Sequence, residues 1–141
     1  MCIPFVYTQL LWLGSYFFNI GKLHNYSKFA HISIIKLFFY KVLLAPLIET
    51  LLFQFIIIEF FLLIFKGNKV IIALIISASV FGYSHYFNTQ NVLYSLFAAI
   101  IGLIFASIYI LTKRRKDINP FLLVFFVHLS INLFAFVIND L

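Results

Sequence analysis

Apolar residues along this chain form long runs separated by short polar breaks. Five runs approach or exceed the roughly 20 residues that a helix needs to cross a bilayer: residues 2–20, 37–65, 70–87, 92–112 and 121–138. None of them alternates strictly between apolar and polar positions, which argues against a membrane β-barrel. Backbone polar groups in hydrocarbon must be hydrogen-bonded within their own segment. The pattern therefore predicts an all-α, multi-pass transmembrane bundle of about five helices.

The polar breaks predict where the chain turns. Residues 21–36 contain three lysines, residues 66–69 read Lys-Gly-Asn-Lys, residues 88–91 are polar without charge, and residues 113–117 are a charge run. Pro46 interrupts the second apolar run, and proline removes a backbone donor, so we expect a kink or a fresh helix start there. No internal repeat or linker is visible. We therefore expect one integral membrane domain over residues 1–141.

Composition agrees with this interpretation. The chain is 65% hydrophobic and 10% charged, with a mean hydropathy of +1.12, whereas soluble domains run near 45–50% apolar and 25% charged. The formal net charge of +6 falls in short clusters between apolar runs, which indicates contact with anionic lipid headgroups and not with nucleic acid. No basic residue precedes residues 2–20 and no small-residue cleavage pattern follows them, so we expect a first membrane segment there.

Four polar groups stand out inside the apolar runs: Glu49, His85, His128 and Asn132. An ionisable residue at membrane depth costs about 2.5–3.5 kcal/mol on insertion scales, so it normally has a partner or a task. In an antiparallel bundle, a rise of about 1.5 Å per residue places Glu49, His85 and Asn132 within about 20 Å of one membrane surface. His128 lies one turn deeper than Asn132 on the same helical face. The four groups are therefore expected to converge in one half of the bilayer.

A carboxylate, two imidazoles and an amide in low dielectric are suited to hydrolysis. A buried carboxylate next to an imidazole can act as a base that takes a proton from water near neutral pH. A second imidazole and an amide N–H can hold the oxyanion that forms when this water attacks a carbonyl. Taken one at a time, each of these side chains could instead have a purely structural role and form a hydrogen bond between helices. Glu59 has no evident partner, and we expect it at a helix interface or among the headgroups.

Three short motifs carry these residues in order. Residues 45–54 read Ala-Pro-Leu-Ile-Glu-Thr-Leu-Leu-Phe-Gln, residues 81–85 read Phe-Gly-Tyr-Ser-His, and residues 128–132 read His-Leu-Ser-Ile-Asn. Together they resemble the motifs of the CPBP intramembrane proteases, a family that includes CAAX prenyl endopeptidases and bacteriocin-processing or immunity proteins. The resemblance covers about residues 43–135. It implies an endopeptidase that cleaves a hydrophobic or membrane-associated peptide, and it loosely favours a bacterial cytoplasmic membrane.

The resemblance also implies roles for individual residues. Glu49 would be the water-activating base with His85 as its partner, and His128 and Asn132 would form the oxyanion site. Three further residues are expected to support the site: Thr50, Gln54 and Phe81. The first motif is usually Glu-Glu-x-x-x-Arg, so Thr50 and Gln54 depart from it. An arginine could bind a carboxylate through two parallel hydrogen bonds and glutamine cannot, so the departure affects substrate and rate.

Two other functions compete with the metal-free protease. A zinc enzyme would use Glu49, His85 and His128 as three ligands, but no His-Glu-x-x-His pair is present, so we expect no metal cofactor. A membrane immunity or scaffold protein would keep the fold without catalysis; the Thr50 and Gln54 departures favour it slightly, whereas the intact set of four candidate catalytic residues argues against it. The side of the membrane that the site faces stays open, because basic residues flank both ends of the runs.

Overall fold

The computed structural model describes residues 33–65 and 69–139. The predicted first membrane segment, residues 2–20, and most of the predicted turn at residues 66–69 lie outside this part of the chain. Within the described residues the chain is helical between short connections, and no strand occurs there. Four of these helices are long and apolar enough to cross a membrane. The prediction of an all-α, multi-pass bundle is confirmed.

The four helices agree with the apolar runs from which they were predicted. Helix α1 spans Ile34–Ile64, α2 spans Val70–Thr89, α3 spans Val92–Arg115 and α4 spans Pro120–Asn139. Each carries large apolar side chains that are exposed: Ile35 on α1, Ile71 on α2, Leu111 on α3 and Ile138 on α4. Exposed apolar surface on every helix suits a lipid environment, where it costs nothing to leave it uncovered.

Helix α1 changes its hydrogen-bond register along its length. Three α-helical and two π-helical segments alternate in the order Ile34–Phe38, Phe39–Leu44, Ala45–Glu49, Thr50–Ile56 and Ile57–Ile64. In a π-helical turn each N–H bonds to the carbonyl five residues back, and such turns are frequent at functional sites. The helix neither stops nor restarts at Pro46. Instead, the π register ends just before the proline, which lacks the N–H that would continue it.

The chain divides into two compact units. The central unit is Leu47–Phe126, and the terminal unit consists, in the described part, of residues 33–46 and 127–139. In the terminal unit Phe38 packs edge-on against Phe136, with ring centroids 5.4 Å apart, and Val42 is buried. The prediction of a single membrane domain over residues 1–141 stays a prediction.

Helices α2 and α3 form a tight hairpin within the central unit. Only Gln90 and Asn91 connect them. A Cβ atom on Gly82 would lie 2.6 Å from the Ala99 Cβ and 2.7 Å from the Ser95 carbonyl oxygen, so only glycine fits there. The Ser95 hydroxyl donates a hydrogen bond of 2.7 Å to the Gly82 carbonyl. Small and hydroxyl side chains thus let the two backbones approach closely, as is typical of membrane helix pairs.

Specific hydrogen bonds fix both ends of the connection between α3 and α4. Lys116 follows α3 with a φ of 65°, and its N–H bonds to the Thr112 carbonyl. This left-handed conformation costs a non-glycine residue about 1–2 kcal/mol. At the other end, the Asn119 side-chain oxygen accepts a hydrogen bond from the Leu122 N–H at 3.2 Å. Pro120 occupies the first position of α4, where its missing N–H costs nothing.

Candidate active site

Glu49 lies on α1 where the helix changes register. It is the last residue of an α-helical segment, directly before the π-helical segment Thr50–Ile56, and it is half-buried. Thr50 and Gln54, the two positions that depart from the motif, are fully buried. Neither polar atom of the Gln54 amide has a hydrogen-bond partner in the described part of the chain. Leaving a buried polar group without a hydrogen-bond partner costs about 1–3 kcal/mol of stability. A water molecule or a ligand that bonded to the Gln54 amide would recover this cost.

His85 lies on α2 with a ring orientation set by its own helix. Its Nδ1 lies 2.9 Å from the Phe81 carbonyl oxygen. Because a carbonyl can only accept, Nδ1 carries the proton in this bond, and in the neutral ring Nε2 holds the lone pair. The Ser84 hydroxyl, 3.4 Å from Nδ1, donates to the same carbonyl at 2.7 Å. The local helix therefore selects the tautomer that leaves Nε2 able to accept a proton.

Phe81 forms the packed support of the His85 ring. The two ring centroids are 4.6 Å apart, and Phe81 is buried. On its other sides Phe81 meets Phe53 of α1 and Phe105 of α3 edge-on, at centroid distances of 5.6 and 6.1 Å. A Cβ atom on Gly102 would lie 3.0 Å from the Phe81 side chain. Phe81 thus links three helices beneath His85 and restricts the movement of the imidazole.

Tyr94 is a residue of this region that the sequence did not single out. Its ring centroid lies 5.9 Å from that of His85, and its hydroxyl interacts electrostatically with the Glu49 carboxylate. The Asn91 side chain accepts a hydrogen bond from the Tyr94 N–H at 2.9 Å, which caps α3 and fixes Tyr94 in its first turn. Tyrosine near a helix end is also typical of the interfacial belt, so residue type and position gave no distinguishing signal.

Within the central unit, three helices therefore bring polar groups to one end. Glu49 comes from α1, His85 from α2 and Tyr94 from α3; the Tyr94 ring centroid lies 5.9 Å from that of His85, and Tyr94 is within electrostatic range of Glu49. Glu49 and His85 are also two donors of the kind that zinc accepts, which is one fewer than the three protein ligands of a catalytic zinc site. This end of the central unit thus carries a carboxylate, an imidazole and a phenol hydroxyl.

His128 and Asn132 lie one turn apart on α4, in the terminal unit. His128 is buried, with 4% of its surface exposed. The Asn132 amide donates a hydrogen bond of 2.9 Å to the Lys41 carbonyl on α1. The expected convergence of these two residues with Glu49 and His85 stays a prediction.

The bond from Asn132 has a cause in the backbone of α1. The Ala45 N–H bonds to the Tyr40 carbonyl in the π register. The next residue, Pro46, has no N–H. Neither helical donor that would normally serve the Lys41 carbonyl therefore reaches it, and the Asn132 side chain takes their place.

We expect Asn132→Ala to lower the free energy of unfolding by about 1–3 kcal/mol, because it leaves the Lys41 carbonyl without this donor. The cost should be smaller when Pro46 is also replaced by alanine, since the restored backbone N–H can serve the carbonyl. A double-mutant cycle followed by thermal unfolding in detergent measures this coupling, expected at about 0.5–3 kcal/mol. Equal costs of Asn132→Ala in both backgrounds would show that the proline is not the reason for the bond.

Glu59 lies at a helix interface, as expected, but it has partners that the sequence did not indicate. The Tyr109 hydroxyl donates a hydrogen bond of 2.7 Å to one carboxylate oxygen, and the Lys113 ammonium forms an ion pair with the same carboxylate. Both partners come from α3, about fifty residues further along the chain, and nothing in the local sequence around Glu59 indicates them. They lie towards the opposite end of the helices from Glu49.

Comparison with known proteins gives one match. Residues 31–134 match the family model described as type II CAAX prenyl endopeptidase Rce1-like. The match covers most of the chain and includes all three sequence motifs. No curated protein and no solved structure matches the chain.

Proposed function

Since the chain belongs to the Rce1-like family of type II CAAX prenyl endopeptidases, we propose that it hydrolyses peptide bonds within the membrane with a water molecule activated by Glu49. The family and the four apolar helices make it an integral membrane protein of a protease superfamily. The observation that carries the mechanism is the grouping of Glu49, His85 and Tyr94 at one end of the central unit.

In the proposed reaction the water molecule lies between Glu49 and His85. One O–H donates to the Glu49 carboxylate and the other to Nε2 of His85, which has a lone pair because Nδ1 donates to Phe81. Glu49 takes a proton as the water oxygen attacks the carbonyl carbon of the substrate. The same proton then passes to the amide nitrogen as the C–N bond breaks. Glu49 is regenerated, and no group other than water is consumed.

The oxyanion of the tetrahedral intermediate is assigned by the motif to His128 and Asn132. The Asn132 amide has two N–H groups, and only one is engaged with the Lys41 carbonyl. The other has no hydrogen bond with the described residues and can stabilise a developing negative charge, which is the role that such donors have in acyl transfer. The bond to Lys41 also fixes the rotamer of the amide, so this donor is preorganised.

The substrate that we propose is a hydrophobic or membrane-associated peptide in a bacterial cytoplasmic membrane, such as a small precursor peptide. An arginine at position 54 could bind a substrate carboxylate through two parallel hydrogen bonds, and the glutamine of this chain cannot. The buried Gln54 amide offers one donor group and one acceptor without a partner among the described residues. These suit a neutral peptide group better than a carboxylate. An internal peptide bond is therefore a better substrate than one next to a free C-terminus.

The test is cleavage of a panel of internally quenched hydrophobic peptides by the purified protein in detergent, with and without a chelator. We expect cleavage that the chelator does not change. Activity that is abolished by the chelator and restored by zinc would replace the glutamate mechanism with a metal one, with Glu49, His85 and His128 as the ligands. A wild-type protein that is folded but inert on the whole panel would favour the non-catalytic immunity or scaffold function, which the Thr50 and Gln54 departures also favour.

A further inference from the structure

The central unit contains a second polar region, whose charged residues lie towards the other end of the helices from Glu49 and His85. It is a cleft of about 910 Å³ between α1, the end of α3 and the start of α4. Tyr109 lies in this cleft, fifteen residues along α3 from Tyr94, which corresponds to about 22 Å along a helix. The charged end of the cleft is therefore at the opposite membrane surface from the candidate active site, while its apolar wall extends along α1 to Leu51.

The floor of the cleft is a hydrogen-bonded network. Tyr109 is buried and donates to one Glu59 oxygen at 2.7 Å, while Lys113 donates to the other at 2.5 Å and pairs with the first. The carboxylate is thereby neutralised, and the ammonium is held in place. Because Lys113 has three N–H groups and uses two on Glu59, one remains for a ligand in the cleft.

The charges around the cleft leave an excess of positive charge. Lys113 is paired with Glu59, and Arg115 with Asp117 at 2.6 Å. The Arg115 guanidinium lowers the pKa of the Asp117 carboxyl below its usual value, so this pair stays ionised. Lys116 lines the cleft and has no ion pair with any described residue. The cleft therefore offers an unpaired ammonium and a spare N–H to an anion.

Lys116 reaches the cleft from an unusual backbone conformation. Its φ of 65° is one that glycine adopts readily and lysine does not. At the C-terminal cap of a helix this position is most often glycine. A lysine held in a disfavoured conformation, with its side chain lining a cleft, points to a use for that side chain.

The walls of the cleft are apolar and aromatic. Leu51, Phe55 and Phe121 line it, and the Phe55 and Phe121 rings meet edge-on with centroids 6.0 Å apart. This surface continues from the charged end of α3 into the apolar part of α1. A small soluble anion would leave it uncovered, whereas a lipid has a phosphate for the lysines and acyl chains for the rings.

We propose that this cleft binds an anionic phospholipid, with its phosphate at Lys113 and Lys116 and an acyl chain along Leu51, Phe55 and Phe121. The cleft lies at the end of the apolar spans, where lipid headgroups are found. Basic pockets between membrane helices are known to hold such headgroups. The inference does not depend on the proposed protease activity.

The experiment compares lipid binding by two variants with the same change in net charge. Lys116→Gly removes the unpaired ammonium and relieves the backbone conformation, so the protein should fold at least as well. Arg114→Gln removes one charge from the same run at a residue that does not line the cleft. Each protein is placed in phosphatidylcholine nanodiscs with increasing phosphatidylglycerol, and thermal unfolding and lipids retained in native mass spectrometry are measured.

Phosphatidylglycerol should raise the unfolding temperature of the wild type and of Arg114→Gln alike. Lys116→Gly should need about fivefold more of it for the same shift, as expected for the loss of one basic contact near a membrane surface. An equal response of all three proteins, or equal weakening of both variants, would show general surface attraction and overturn the proposal. Equal stabilisation by glycerophosphoglycerol, which lacks acyl chains, would show a phosphate site and no lipid site.

Discussion

Replacing Glu49 with glutamine is expected to lower kcat for peptide cleavage by about 10²–10⁴-fold, the range that a positioned general base contributes. Glutamine has the shape of glutamate, but its amide cannot take a proton from water. The half-buried carboxylate lies on α1 within electrostatic range of Tyr94, one helical turn before Phe53, whose ring packs against Phe81. The substitution removes the base without opening a cavity. The measurement is the initial rate on the best peptide of the panel, with KM determined separately.

Two controls make the Glu49 result specific. Thermal unfolding of Glu49→Gln should match that of the wild type, since the loss is in catalysis and not in folding. Glu49→Asp keeps a carboxylate but shortens the side chain by one methylene group. Its rate should therefore lie between that of the wild type and that of Glu49→Gln. A rate for Glu49→Gln within a factor of a few of the wild type would show that another group activates the water.

His85→Ala is expected to lower kcat by about 10²-fold or more, because it removes the Nε2 lone pair that orients the water molecule. The exposed Phe87, two residues further along α2, provides a control for the loss of a ring at this end of the helix. Phe87→Ala should leave kcat unchanged, because that ring contacts Tyr83 on the same helix and no candidate catalytic group.

Combining Glu49→Gln with His85→Ala tests whether the two residues act on the same water molecule. Residues that act as a unit have non-additive effects, so the double variant should be about as slow as the slower single variant. If the two losses multiplied, Glu49 and His85 would act in separate steps, and the proposed placement of the water between them would be wrong.

The helices were predictable because hydropathy reports which solvent surrounds a segment. The end of α3 shows the limit of that signal. The apolar run stops at residue 112, yet the helix continues to Arg115, because lysine and arginine are good helix formers once the chain enters the headgroup region. Likewise, the Asn132 amide bonds to the Lys41 carbonyl because the π register and Pro46 leave that carbonyl without a helical donor. Their pairing across some ninety residues cannot be read from local sequence.

The candidate site was predictable to the extent that its residues carry a high free-energy cost when they are inserted in a membrane. Glu49 and His85 stood out because charge and hydrocarbon conflict. Tyr94 did not stand out, because tyrosine is common at helix ends. Its role in the site depends on the neighbours that the α2–α3 hairpin provides. The interface position of Glu59 was expected, but its partners Tyr109 and Lys113 were not, since they come from a helix about fifty residues further along the chain.

The two-residue connection between α2 and α3 has a consequence for the order in which the protein folds. His85 and Tyr94 are only nine positions apart in sequence, on either side of that connection. Contacts between near neighbours in the chain close quickly and at little entropic cost, whereas contacts between distant segments form later. The pairing of His85 with Tyr94 thus belongs to an early, locally folded hairpin. Glu49, some forty residues upstream, completes the cluster only when α1 docks.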